Sequence, residues 1–418
     1  MSVLSNNVCE IISEPAGINI SQAANPRLFQ RVYIRDSMLG YFPYGEVFLQ
    51  DKQGVLNSTY YLFEGMKFNI KLGFPEEKLK NGKTIGGYIQ NTYGWSEDQI
   101  NDTAKDVEYL SGINSIIFTS DYYFKDFINP TAYKTQPSTI AQTIAEKVFQ
   151  INDSNKIHID STNNDLDHIW YQGNRTSVEF IQETLVKKAY GSKVPGFDKA
   201  PFVSFINCNG EFYFCSYATL FNQSPVATYE QKISLDKLQD PFAIQDIKFA
   251  AGGAPLNKVK YNQTIHTLSD NGVFTEESIL LKDKFLKINT ANDVYPVFKE
   301  NTERVTNIPY YGIQEERDKD LIDAQKTFSY QNSCLAFRLD IVVLFNPKAI
   351  TGKVVEIKIK DFLDNDNYSS SLSGNWLIIE SEHYMDQDAA IYSHLTLARP
   401  SVTFKQNWPS AYRANVLS

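Results

Sequence analysis

Two short runs in this 418-residue chain place a pair of carboxylates two residues apart beside a histidine. Asp165 and Asp167 precede His168, and Glu380 and Glu382 precede His383. On an extended strand, a spacing of two puts both side chains on one face. A glycosidase needs two carboxyls about 5–9.5 Å apart, one of them with a raised pKa. The chain holds 49 Asp and Glu residues, so composition alone produces many such pairs, and the solvated or structural reading outweighs the catalytic one.

The five histidines are His158, His168, His266, His383 and His394. A C-terminal hairpin would bring His383 and His394 near each other, with Glu380 or Glu382 close by. A zinc site needs three or four protein ligands in tetrahedral geometry. Neither HExxH nor CxxC spacing occurs, and packing or hydrogen bonding within a sheet is the commoner use of such histidines. There is no Gly-x-Ser-x-Gly elbow and no Walker loop, and Gly252-Gly253 lacks the GxGxxG frame. We therefore assign no catalytic, cofactor-binding or metal-ligating residue, and expect no cofactor and no enzyme.

Aromatic clusters are the remaining candidates for a binding role: Tyr41-Phe42-Pro43-Tyr44, Tyr122-Tyr123-Phe124 and Tyr310-Tyr311. They could stack on sugars, but aromatic residues more often fill cores and subunit interfaces. Aromatics make up 13% of the chain, with 25 Tyr and 27 Phe, which favours a β-rich fold.

The formal net charge of −9 is a poor basis for tight duplex DNA binding, which draws its affinity from Lys and Arg on phosphates. Cys9, Cys208, Cys215 and Cys334 are too few for a disulfide framework. Cys208 and Cys215 flank Asn209-Gly210, a two-residue hairpin turn. That turn would set Cys208 opposite Glu211 and Cys215 opposite Ser204, so no bridge and buried thiols are expected. The N-terminus lacks the charged and apolar regions of a signal peptide. No window approaches 18 apolar residues, so no membrane insertion is expected. Asn57-Ser58-Thr59 and Asn174-Arg175-Thr176 are then chance glycosylation matches, and synthesis in a cytoplasm is expected. At roughly 100–200 residues per domain, the length suggests two to four domains.

The elements fall into three blocks. From 26 to about 130 the chain reads as β. Gly45 to Asp51 is a strand, followed by a turn from Asp51 to Gly54. Glu64-Gly65 is a turn or bulge before Met66, Phe68, Ile70 and Leu72, which alternate with Lys67, Asn69 and Lys71. Gly86 to Ile89 and Ser115 to Thr119 are further strands, and this spacing of short strands favours a barrel or sandwich. Beyond Pro130, Ile140, Ala141, Ile144, Ala145, Val148 and Phe149 form one face of a helix over 138–150, with Pro137 in its first turn. Thr176 and Glu179 form a capping box for a second helix, lined by Val178, Ile181, Leu185 and Ala189, with Gly191 as its left-handed cap. Phe202 to Ile206 and Glu211 to Phe214 make the Asn-Gly hairpin. Leu235 to Lys248 is weakly helical, Ala250 to Pro255 a flexible turn, and Arg317 to Phe328 a short helix. The β pattern then returns at Leu335 to Leu339, Ile341 to Phe345, and Val354, Ile357 and Ile359. Asp361 to Ser373 reads as an exposed loop. Trp376 to Ile379 is a short apolar run, joined by a polar loop to Ile391–Arg399. There Ile391, Leu395 and Leu397 face one way and Tyr392, His394 and Thr396 the other.

Three of these motifs, in this order, resemble the baseplate hub proteins of contractile-tailed bacteriophages and the related N-terminal part of type VI secretion spike proteins. They are GEVFLQD followed by FEGMKFNIKLGF, then QGNRTSVEFIQETLVKKAY leading to FVSFINCNGEFYF, and finally SGNWLIIESEH with IYSHLTLARPS. The resemblance spans most of the chain, with 228–330 not placed. Type VI proteins continue into a needle-like β-helix. This chain stops at Ser418 and has no lysozyme-like segment, which favours a hub whose spike is another polypeptide.

The resemblance implies an α+β, β-rich fold: a first β-barrel domain (1–130), an α+β middle region (131–330) and a second β-barrel domain (331–418). It implies a structural homotrimer, a symmetry adaptor between a sixfold tail tube and a trimeric spike. The expected partners are the tail spike protein, the tail tube protein and other baseplate proteins, with DNA only passing through the lumen. The expected location is the tail baseplate of the virion. An acidic lumen would let DNA pass without sticking. The rival readings are a carbohydrate-active enzyme and a glycan-binding tail protein. For the last hairpin the geometric expectation is pairing with strands from about 335–360, and His383 fixing the sheet rather than holding an ion.

Overall fold

Phe68, Ile70 and Leu72 are buried, while Lys67, Asn69 and Lys71 between them are partly exposed. The same period-two pattern, apolar inside and wet outside, recurs along Phe29–Ser37, Tyr44–Gln50 and Ile391–Arg399. The structure is a computed structural model. It describes residues 8–14, 17–20, 29–50, 65–73, 83–94, 113–162, 164, 168–189, 191, 202–230, 243–249, 258–265, 275–282, 303–305, 335, 337–359, 372–387 and 390–399; for 83–94, 243–249, 258–265, 275–282 and 303–305 it gives the backbone. The turn at 51–54, Asp165, Asp167, His266, the 250–255 turn, Tyr310-Tyr311, the 317–328 helix, Cys334 and the loop at 361–371 lie outside the described residues.

The first strands are β1 (Val8–Glu14), β2 (Phe29–Ser37), β3 (Tyr44–Gln50), β4 (Lys67–Gly73), β5 (Lys83–Gly94) and β6 (Ile113–Ser120). They pair antiparallel in the order β1-β4-β5-β6-β3-β2.

The middle block follows, with β7 (Ala132–Tyr133), α1 (Pro137–Lys147), β8 (Ile157–Ile159), β9 (Trp170–Tyr171), α2 (residues 177–188), β10 (Phe202–Ile206), β11 (Phe212–Ser216), α3 (Tyr217–Phe221) and β12 (Thr228–Glu230). Pro137 opens α1, whose buried face carries Ile140, Ala141, Ile144 and Ala145. The helix ends at Lys147, earlier than the apolar spacing suggests, and Gln150 at φ +57° reverses the chain so that Phe149 still packs inward. Both halves of the Thr176–Glu179 capping box form at the start of α2. Its middle turn, Ile181–Leu185, widens to π geometry.

Two local expectations are corrected here. Gly191 is not the left-handed cap of α2. The helix ends at Lys188 because Ala189 turns extended, at φ −71° and ψ 141°. Gly191 instead permits close approach, since a Cβ there would lie 3.2 Å from the Phe202 ring. The β10–β11 register is also shifted by one, so Cys215 sits opposite Val203 and Ser204 opposite Phe214. The cause is a three-residue loop with Gly210 at φ +69°, in which the Gly210 N–H donates to the Asn207 carbonyl and the Asn207 N–H to the Glu211 carbonyl. Cys9, Cys208 and Cys215 are buried and no disulfide joins them.

The last strands are β13 (Ala243–Phe249), β14 (Lys258–Ile265), β15 (Thr275–Lys282), β16 (Glu303–Val305), β17 (Phe337–Leu344), β18 (Val354–Lys358), β19 (Gly374–Asp386) and β20 (Ile391–Arg399). The weakly helical reading of 235–248 fails where the chain is described. Ala243–Phe249 is a strand antiparallel to β17, and pairing to a long apolar neighbour overrides a weak helical pattern. β14, β15 and β16 form a separate three-stranded sheet.

The final hairpin is longer than its apolar run, since β19 continues through Glu380, Glu382 and His383 to Asp386. As expected, it pairs with strands from 335–360: β20 lies against β17, and β19 against β18. β19 also pairs with β2, from Glu380↔Ser37 to Asp386↔Arg31. The early and late strands therefore share one twelve-stranded sheet, with the path β1-β4-β5-β6-β3-β2-β19-β20-β17-β13 and with β18 and β12 branching from β19. This path runs from β1 to β13 without closing into a barrel among the described residues. One core cluster draws on both ends of the chain, joining Ile11, Val32, Ile34, Val47 and Phe118 to Phe345, Ile350, Met385 and Ile391. The fold is a β-rich α+β architecture.

Candidate functional site

The β2–β19 pairing creates a continuous, half-exposed face. Alternation along β2 turns Val32 and Ile34 into the core and leaves Arg31, Tyr33 and Arg35 on the other side. β3 adds Tyr44, Glu46 and Phe48, β19 adds Glu380, Glu382 and Tyr384, and β20 adds Tyr392, His394 and Thr396.

These side chains are tied to one another. Tyr33 Oη donates to Glu46 Oε2 at 2.7 Å, and Ser115 Oγ donates to Glu46 Oε1. Burial, then the hydrogen bond to Glu46 and that carboxylate's charge, push the Tyr33 hydroxyl well up, so it remains a donor. Arg35 pairs with Glu380. The Arg31 guanidinium lies 4.0 Å over the Phe48 ring, and Tyr384 and Tyr392 have ring centroids 5.6 Å apart. The face is thus a polar and aromatic lattice that positions charge without enclosing a substrate.

The sequence-derived candidates separate in space. Glu380 and Glu382 do share this face, but Glu380 is engaged by Arg35 on an open sheet. His383 points to the opposite side. It is fully buried, with Nδ1 2.7 Å from Ser393 Oγ and the Phe345 ring edge-on at 5.2 Å. In register, His394 faces Glu382 and His383 faces Ser393, so the two histidines do not converge. Among the described residues no group of three or more His, Cys, Asp and Glu is placed to hold a metal ion. His168 packs edge-on to Trp170 at 4.4 Å. Phe42 and Tyr122 both pack on Phe149, while Tyr41, Tyr44 and Tyr123 stay partly exposed.

Sequence reasoning missed the group that locks the three blocks together. Asp36 occupies an inward position of β2 and is 1% exposed. Its carboxylate accepts from the Cys208 N–H at 2.8 Å, from Thr351 Oγ1 at 2.8 Å and from Ser381 Oγ. The signal was present in the inward series Val32, Ile34, Asp36, where the third member is an acid in a core position. A second such group surrounds Glu211, which accepts from Tyr213 Oη at 2.6 Å and Asn207 Nδ2 at 3.0 Å and pairs with Lys353 at 3.0 Å.

Two solved structures share this arrangement across nearly their whole length. The tail protein from Neisseria meningitidis MC58 aligns with a TM-score of 0.52 at 11% identity, covering 94% of this chain and 97% of its own. The 43 kDa tail protein of prophage MuSo2 from Shewanella oneidensis gives a TM-score of 0.52 at 12% identity, covering 94% and 98%. This chain shares the fold of these two tail proteins. A type VI secretion system component from E. coli aligns over 91% of this chain and 74% of its own, at a TM-score of 0.44 and 9% identity. No protein-family model and no curated protein matches the chain. The solved neighbours are of the kind that the sequence motifs resemble. Among the described residues no helix is long and apolar enough to cross a membrane.

Proposed function

We propose that this protein is a structural component of a phage tail, the baseplate hub: a homotrimeric ring that joins the tail tube to the central spike. The observation that carries this reading is the fold shared with the two tail proteins over 94% of this chain. The β2–β19 junction supports it, because a sheet shared by the two ends of the chain makes a stiff unit suited to bearing load. In this reading residues 1–130 and 331–418 form two similar barrel-like domains around the middle region 131–330. Three copies then present six such units to a sixfold tube and a threefold face to the spike.

The protein works without catalysis or a cofactor. Its partners are two further copies, the spike, the tube and neighbouring baseplate proteins, and DNA only passes through. It is made in the host cytoplasm and ends in the virion baseplate without entering a membrane. The net charge of −9 suits a lumen that repels DNA. Co-expression with the tube and spike proteins of the same tail tests the reading. A stable complex containing all three supports it, and a protein that binds neither overturns it.

A further inference from the structure

Phe127 and Ile128, just before β7, are 70% and 60% exposed, and Ile169 and Tyr171, on either side of Trp170, are 61% and 64% exposed. Trp170 itself is buried, so Ile169 and Tyr171 share the outer face of that run. The two segments are bound side by side. Asp126 Oδ1 accepts from the Ser177 N–H at 2.7 Å and the Val178 N–H at 3.2 Å. The Thr131 carbonyl accepts from the Gln172 N–H at 2.9 Å, and Ala132 pairs with Tyr171. The surface continues toward the first block. Tyr41 borders Val178 and Ile181 of α2, and the Tyr123 ring lies 6.1 Å from that of Phe42. Both tyrosines are exposed.

These six side chains make an apolar belt on the middle block. At about 150–250 Å² for a whole aromatic side chain, their exposed area is roughly 500–700 Å². That reaches the upper end of the largest patch on a typical monomer, about 300–600 Å². It is also most of the roughly 800 Å² that each partner gives to a stable interface. The composition points to the kind of partner. Among the described residues of 122–134 and 168–175 no carboxylate is exposed, and Lys134 and Arg175 are the exposed charges. A contact rich in aromatics and poor in acids is the permanent kind, made between chains that stay together, rather than the more polar transient kind. We propose that this belt is where one copy of the chain seats on the next, an inference that rests on the homotrimer reading above. A threefold ring is built from heterologous contacts, so the belt meets a different surface of its neighbour.

The test uses the full chain, with light scattering for mass and hydroxyl-radical footprinting for exposure. Phe127→Ser and Tyr171→Ser should each weaken association about thirtyfold, the size of one lost interface anchor. The double variant should run as a single chain, with the far-ultraviolet circular dichroism of the parent because both sites are exposed. Footprinting needs no variant: Phe127 and Tyr171 should be protected in the parent trimer and labelled on dissociation. A parent trimer whose double variant is still a trimer, or whose belt is labelled as in the free chain, overturns the proposal and leaves the hub reading standing. Protection that appears only on adding the spike or tube protein also overturns it, and assigns the belt to that protein. A parent that is a monomer at every concentration overturns the trimer reading and this contact together.

Discussion

The backbone N–H of Cys208 donates to the Asp36 carboxylate at 2.8 Å across 172 residues of sequence, and Thr351 and Ser381 complete the ring of donors. One buried side chain thus ties β2 to the β10–β11 turn and to the last third of the chain. Asp36→Ala removes the carboxylate that accepts from the Cys208 N–H and the Ser381 hydroxyl, at about 1–3 kcal/mol each before relaxation, while Thr351 Oγ1 keeps the Asp36 carbonyl at 3.1 Å. The expected loss is about 3–5 kcal/mol, read from the midpoint of urea unfolding at unchanged slope. Asp36→Asn, which keeps one acceptor oxygen, should cost about half as much.

Gly352 sits at φ +86°, and a Cβ there would fall 2.5 Å from the Phe205 ring. Strain and overlap act together, because the ring belongs to a packed core cluster. Gly352→Ala should destabilise by about 2–4 kcal/mol. A Phe205→Leu, Gly352→Ala double variant should recover part of that loss, which separates the overlap from the backbone term.

The capping box at α2 gives a smaller and cleaner prediction. Thr176 Oγ1 accepts from the Glu179 N–H at 3.3 Å, and Glu179 Oε2 accepts from the Thr176 N–H at 3.0 Å. Thr176→Ala should cost about 1 kcal/mol, and Thr176→Ser almost nothing, by thermal or urea unfolding.

Acid should weaken the joint between the middle block and β18 in two stages. Burial would raise the Glu211 carboxyl, but hydrogen bonds from Tyr213 and Asn207 and the charge of Lys353 outweigh it and hold it down to about 2. A carboxylate depressed in the folded state stabilises above its ordinary value near 4.5, and that stability is lost as pH falls toward about 2. His158 stacks on Tyr213 at 4.5 Å. Burial pushes it below 6.5, with Glu211 pulling the other way and Lys353 adding to the depression. The unfolded chain takes up that proton first, so stability falls as pH drops below about 6.5. Urea midpoints measured across this range should show both limbs. His158→Phe should flatten the upper limb and Glu211→Gln the lower one.

The alternating strand Lys67–Gly73, the Pro137 helix start and the Thr176–Glu179 cap were legible because each is set by residues within one turn or one strand. The partner of the last hairpin within 335–360 was legible for a related reason, since its apolar runs are long and near in sequence. The β2–β19 pairing was not. Nothing local in Arg31–Ser37 names a partner some 350 residues away. The shifted hairpin register turned on a single left-handed glycine, Gly210, whose flanking Asn-Gly pair also fits a tighter turn. Leu235 to Lys248 reads as weak helix by itself, and Ala243–Phe249 is a strand because β17 lies beside it. Asp36 was overlooked because an acid within a strand reads as solvated until its face is known.

The central claim is a threefold assembly, and the mass of the purified chain in solution tests it most directly. Size-exclusion chromatography with multi-angle light scattering should give three times the 47.6 kDa chain mass, unchanged on dilution. A monomer at every concentration, above all one that cleaves a polysaccharide, would contradict it.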